Sequence, residues 1–187
     1  MSSFMRWKPI FSATATPLTA GTPNLYVLTA PVNCDAEEID PQEFTQLVRN
    51  ARDLYDFVLI DGAAGLGAKL RLVSQPADRC VVVALPDPAS IRSADRCAQE
   101  LEKMGAKNCR LVVNRLYNDP LKVMNKTIDD IMDEVGLPLL GIVPTDPNVT
   151  LACAAGKPLC KYTHFGAAAA HKRIAKRILG LNVAISR

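Results

Sequence analysis

The sequence has no apolar run long enough to cross a bilayer. Its longest strongly apolar stretch is CVVVAL at residues 80–85, far short of the roughly 20 residues a membrane-spanning helix needs. No long apolar segment follows Arg6, Trp7 and Lys8 before the Ser/Thr/Ala-rich residues 12–20, so a secretory signal is not expected. No C-x-x-C pair occurs either. The six cysteines stand at positions 34, 80, 97, 109, 153 and 160, and they read as reduced, mostly buried cytosolic thiols. Histidine is scarce: His164 and His171 lie on one terminal segment with no third ligand beside them, which suits surface residues better than a metal site. A net charge of +3 does not by itself call for nucleic acid or an acidic membrane.

What is present is enough apolar material for a core. With 187 residues, 49% hydrophobic and 22% charged, one well-buried domain is expected. The organising stretch is YDFVLIDGAAGLG at residues 55–67. Residues 57–60 form a short continuous apolar run, the pattern of a parallel strand covered on both faces. Asp61 then falls at the carboxyl end of that strand, where open α/β sheets place their ligands. Gly62, Gly65 and Gly67 allow the following backbone to approach a phosphate or to change shape.

Around this stretch, strands and helices alternate. Residues 1–23 look like an irregular lead-in, and the fold proper is expected over residues 24–187. Residues 24–30 read as a strand stopped by Pro31. Asp40, Pro41 and Glu43 announce a helix with Phe44, Leu47, Val48 and Ala51 in one stripe. A short helix is expected at residues 70–73 and a wholly buried strand at residues 79–85. Asp87 and Pro88 open a helix carrying Ile91, Ala94, Ala98, Leu101 and Met104 inward and ending at Gly105. A strand at residues 109–114 comes next, then a helix capped by Thr127 and stopped by Gly136. A last strand at residues 139–143 and a helix at residues 165–179 complete the pattern. Such alternation predicts an α/β fold, a mostly parallel, doubly wound sheet with helices on both faces.

Four stretches together resemble the MinD/ParA family of P-loop ATPases, nearest to its septum-placing branch. YDFVLIDGAAGLG resembles the family's Walker B strand and second switch loop, and ALPDPASIRSADR (residues 84–96) the strand and helix that follow. LVVNRL (residues 111–116) resembles the adenine-contacting strand end, and LLGIVPTDPNVTLACAAGKPL (residues 139–159) the closing strand and the loop beyond it. Order and spacing agree over about residues 24–180. The K-G-G-x-G-K-[ST] phosphate loop of the family does not occur, and the one Gly-Lys pair, Gly156-Lys157, is followed by Pro158 and reads as a surface turn. The resemblance therefore implies an incomplete P-loop NTPase domain, lacking the phosphate-binding third.

The resemblance implies ATP and Mg²⁺ as cofactors and division-site placement as the role, with a ParA-type or flagellar-number positioning ATPase, or a non-catalytic interaction module, as alternatives. Asp61 would orient Mg²⁺, usually through a water, and Gly65 would belong to the loop that senses the γ-phosphate. Asn114, with Arg115 beside it, would meet the adenine edge, since a side-chain amide offers a donor and an acceptor in one plane. Pro144 and Asp146 would line the other side of the base. Without phosphate ligands, nucleotide binding by this chain alone is expected to be poor. The implied partners are a homodimer mate, or a chain supplying the missing phosphate site, and a cell-division regulator meeting Arg92, Asp95 and Arg96. The implied location is cytoplasmic, with peripheral contact at the inner face of the cell membrane. The final helix, with Lys172, Arg173, Lys176 and Arg177, is expected to pack its apolar side on the sheet, and nucleic acid is not an expected partner.

Overall fold

A computed structural model describes residues 16–17, 24–28, 39–62, 65–117, 121 and 124–185. The chain falls into two compact units, Met1–Pro76 and Ala77–Arg187, each described by itself.

In the first unit, β1 (Thr16–Pro17) and β2 (Tyr26–Val27) pair antiparallel, and the Tyr26 and Tyr55 rings lie 5.4 Å apart. Helix α1 (Pro41–Arg52) starts where the sequence places it, because Asp40 Oδ1 accepts from the N–H groups of Gln42 (2.7 Å) and Glu43 (3.1 Å). That carboxylate satisfies donors the first helical turn leaves open. Val48 and Ala51 are buried beneath it. Helix α2 (Ala68–Ser74) buries Leu72.

Two expectations in this unit are corrected. The strand at residues 24–30 shrinks to β2, and residues 29–30 lie outside the described residues. Residues 57–60 form no strand: Phe57 is 57% and Leu59 85% exposed. A strand is held by its neighbours' backbone groups, and among the described residues no segment pairs with this one. Apolar sequence without a ladder partner stays open to solvent.

The second unit carries a parallel sheet in the order β3–β4–β5, formed by β3 (Cys80–Ala84), β4 (Cys109–Leu116) and β5 (Leu139–Pro144). Between them run α3 (Pro88–Lys103) and α4 (Ile128–Val135). Asp87 caps α3 and Thr127 caps α4, as the sequence implies, and Thr127 forms a full capping box with Asp130. The register joins Val82 to Leu111 and Ala84 to Val113. These buried residues face the packed helices α3 and α4, whose inward residues Ile91, Leu101 and Ile131 are also buried. On the opposite face, Val112 pairs with Gly141, and α7 (Gly166–Ile178) lies there with Ala167 and Ala170 against Val112 and Val143. Gly141 permits this approach: a Cβ there would meet the side chain of Ile174.

Arg177 anchors the segment after α7. Its guanidinium donates to the carbonyls of Leu140 (2.7 Å), Val183 (2.8 Å) and Ala184 (2.5 Å), tying the chain beyond the helix to β5. Between β5 and α7, where the sequence predicts a loop, the chain forms two helices, α5 (Pro147–Ala154) and α6 (Leu159–Tyr162).

Candidate functional site

The strands of the second unit end together, and the candidate residues sit at those ends. Asn114 lies near the carboxyl end of β4, half-buried. Its Oδ1 accepts the N–H of Arg115 at 2.9 Å. Arg115 adopts φ = 55°, an unusual choice for a residue with a Cβ, and this places a strained irregularity of the strand where open α/β sheets bind ligands. The Arg115 carbonyl accepts from Thr145 Oγ1 at 2.9 Å, and the Leu116 carbonyl from Thr145 N–H at 2.9 Å. Pro144 pairs with Leu116 across a register irregularity. Asn114, Arg115, Pro144 and Thr145 therefore form one bonded corner.

Asp146 continues that corner with a carboxylate already engaged. Oδ1 accepts from the N–H and the side-chain amide of Asn148 (both 2.9 Å), and Oδ2 accepts from the N–H of Ala167 (2.9 Å). One side chain thus serves the N-termini of both α5 and α7. The Ala167 amide, then that of Asn148, holds the carboxyl below the usual carboxylate range. Gly166 has φ = 55°, and a Cβ there would collide with Asp146 Oδ2, so the neighbouring glycine keeps the carboxylate's approach open.

Asp61 and Gly65 belong to the first unit. Asp61 is exposed. Gly65 and Gly67 have φ of 109° and 101°, with open space where a Cβ would sit. Among the described residues, no three His, Cys, Asp or Glu groups stand close enough to hold a metal ion. His171 Nδ1 lies 2.7 Å from the Ala167 carbonyl and His164 Nδ1 3.1 Å from Lys172 Nζ. The two rings have separate partners.

Sequence reasoning missed the left-handed Arg115, the bridging Thr145 and the double cap by Asp146. A signal for the last was present: Asp146-Pro147 repeats the Asp40-Pro41 and Asp87-Pro88 pairs that open α1 and α3.

No family model matches the chain. The septum site-determining protein MinD of Synechocystis is 30% identical over 163 residues, covering 86% of this chain and 61% of that protein. Bacillus subtilis MinD is 33% identical over 161 residues, covering 85% and 60%. The solved structure of Aquifex aeolicus MinD superposes with a TM-score of 0.76 at 27% identity, over 86% of this chain and 66% of that one. This is a MinD/ParA-type chain. The MinD in the Aquifex aeolicus MinC:MinD complex gives a TM-score of 0.77 at 28% identity, over 87% of this chain and 65% of that one. The parallel sheet with helices on both faces is the MinD/ParA P-loop NTPase fold in partial form. The MinD/ParA-type chain spans 61% and 60% of the lengths of those two curated relatives.

Proposed function

We propose that this MinD/ParA-type chain acts in division-site placement, with the Asn114–Arg115 corner taking the adenine edge of ATP. The similarity to septum site-determining proteins along most of the chain carries the reading, and the local geometry supports it. Asn114 Oδ1 spends one lone pair on Arg115 N–H. A carbonyl oxygen has two, and both amide protons remain, so the side chain still presents acceptor and donor to a purine. Pro144 stands at the adjoining strand end to bound the other side of the base. Asp146, fully engaged as a double cap, positions α5 and α7 below the pocket rather than bonding the base itself.

The phosphates and Mg²⁺ need more than the described residues provide. Asp61 would act on a hydrated Mg²⁺, and Gly65 in the loop that follows would respond to the γ-phosphate. In this reading the phosphates are held by groups outside the described residues, supplied within the same protein or by a partner chain, and ATP hydrolysis belongs to the site so completed. A solved Pyrococcus horikoshii relative is a complex with Mg-ADP, which agrees with this cofactor pair.

The Aquifex aeolicus relative is found with MinC, and a comparable regulator here would meet the outward face of α3. Arg92 and Arg96 are exposed there, above the buried stripe of Ile91, Ala94, Ala98 and Leu101. Asp95 Oδ1 accepts from Gln99 Nε2 at 2.7 Å beside them. That exposed cationic face also favours a second reading, a non-catalytic interaction module. The location under either reading is the cytoplasm with peripheral contact at the inner membrane face; no described helix is long and apolar enough to cross a membrane.

Titration of the folded chain with a fluorescent ATP analogue and Mg²⁺ tests the nucleotide reading. Saturable binding, weakened about tenfold by Asn114→Ala through the loss of roughly 1.4 kcal/mol of hydrogen bonding, is the expected result. No saturable binding by a cooperatively folded chain, alone or with a partner, would leave the interaction module.

A further inference from the structure

Three cysteines meet at one end of the second unit. Cys80 opens β3 and Cys109 opens β4, and the register makes them partners. Neighbouring strands lie about 4.7–4.9 Å apart, inside the roughly 4.4–6.8 Å that separates the Cα atoms of a disulfide. Residues two positions apart share a face of a strand, so both thiols stand on the face of Val82 and Leu111, the one α3 covers. The Cys80 thiol donates toward the Cys109 sulfur, and the Cys109 thiol donates to the Ala106 carbonyl at 3.9 Å. Cys97, on α3, is near enough for its charge to act on Cys80 and for that of Cys109 to act on it.

Cysteine often serves as a small apolar filler, and a filler belongs inside. The next row of the sheet, Val82 and Leu111, is buried, whereas Cys80, Cys97 and Cys109 are half-exposed and free. Cys109 also lines a cleft of about 560 Å³ between the C-terminal halves of α3 and α4. In its wall Asp95, Glu102 and Asp133 stand against one guanidinium, that of Arg110, and Glu134 is paired with Lys126. Such a wall favours an uncharged or cationic visitor over an anion.

The geometry points to a reversible disulfide between Cys80 and Cys109, made by exchange with a small uncharged or cationic disulfide that enters this cleft, while Cys97 stays a thiol. Cys109 reacts first, because it faces the cleft and receives the bond from Cys80. Its thiolate attacks one sulfur of the reagent and releases the other half, leaving Cys109 in a mixed disulfide. Cys80 then gives up its proton, and its sulfur attacks that of Cys109 and expels the second half. Two electrons pass to the reagent, which leaves as two thiols with the two protons the cysteines gave. Cys97 is a helix residue with no strand partner to hold it at disulfide spacing. The bridge closes the segment carrying α3 into a covalent loop, which restricts the unfolded chain. These groups lie at the strand ends away from Asn114, so the inference stands apart from the nucleotide reading.

The test uses the full chain as Cys34→Ser/Cys153→Ser/Cys160→Ser, in which only these three cysteines remain. Burial holds them protonated and makes exchange slow. The folded protein is therefore brought to equilibrium with cystamine, a small cationic disulfide, then quenched in acid, alkylated and mapped by mass spectrometry. The expected product is a monomer lacking two hydrogens, with the Cys80 and Cys109 peptides joined and Cys97 alkylated. Its Tm should rise, and dithiothreitol should reverse both changes. Adding Cys97→Ser should keep the bridge, and adding Cys109→Ser should abolish it. Stable cysteamine adducts without an internal bridge would overturn the inference, as would a bridge that includes Cys97 or one that forms only in denaturant. If circular dichroism finds Cys109→Ser unfolded, the peptide map and the Cys97→Ser variant decide alone.

Discussion

Replacing Gly141 by alanine probes the contact that sets α7 on the sheet. An ideal Cβ at Gly141 would stand 2.9 Å from Ile174 Cδ1, against the 3.4 Å at which ordinary contact begins, a shortfall of 0.5 Å. It would stand closer still to Ile174 Cγ1, the root of the side chain, so rotating the far end cannot relieve it. Arg177 Nη1 lies 3.2 Å away on the same side. Either Ile174 leaves its rotamer or α7 moves off β5. Overpacking of this kind costs about 1–3 kcal/mol, and reduced freedom of the unfolded chain returns roughly 0.4–1 kcal/mol. A net loss of about 1–2 kcal/mol lowers Tm by on the order of 5–10 °C in a domain of this size. Thermal unfolding followed by circular dichroism measures it, in wild-type and Ile174→Ala backgrounds. In the second background the two Ile174 atoms are gone and only the looser approach to Arg177 Nη1 at 3.2 Å remains, so Gly141→Ala should cost little, giving a coupling of most of the single-variant loss. Equal destabilisation in both backgrounds would refute the packing argument.

Asp146 supplies a pH dependence. Its folded-state pKa is depressed by the bonds from Ala167 and Asn148, so its stabilisation is present above the unfolded carboxylate range and is lost as pH falls through the folded value. The Tm advantage over Asp146→Asn should be full at pH 7 and shrink below about pH 4; a difference independent of pH would contradict the double-cap role. The cysteines should divide by environment. Cys153 and Cys160 are exposed, whereas burial first, and then the neighbouring thiols of Cys109 and Cys97, push Cys80 up to about 11. Thiolate is the reacting form, so a Cys34→Ser/Cys153→Ser/Cys160→Ser variant should react slowly with Ellman's reagent at pH 8 until unfolded. A fast phase persisting in the native triple variant would oppose this.

Local chemistry carried most of the second unit into view from sequence. Asp87-Pro88, the Thr127 cap and the Ile91/Ala94/Ala98/Leu101 stripe act within one turn or one helix face, and the apolar runs at β3, β4 and β5 need no knowledge of their partners to be recognised as strands, although β3 is not the wholly buried strand expected, since Val81 and Val83 are 45% and 57% exposed. The same rule failed for residues 57–60. An apolar run states a preference for burial but does not supply the neighbour that would satisfy it. The site was legible in its residue types, Asn114 and Pro144 at strand ends, and illegible in its bonding. No sequence pattern marked Arg115 at positive φ, which accompanies a break in the β4–β5 register and a bond from Thr145 at the end of β5, groups distant in the chain.

The sequence by itself determined where α1, α2, α3, α4 and α7 form and where most of these start, and it marked the apolar runs that become β3, β4 and β5, since caps and periodicity are interactions between residues a few positions apart. Only the tertiary structure decided that Asp146 serves two helix ends, that Gly141 admits Ile174, and that β5 is sealed while β3 is bare. Each of these joins groups distant in the chain, whose meeting depends on how sheet and helices stack and not on any local preference.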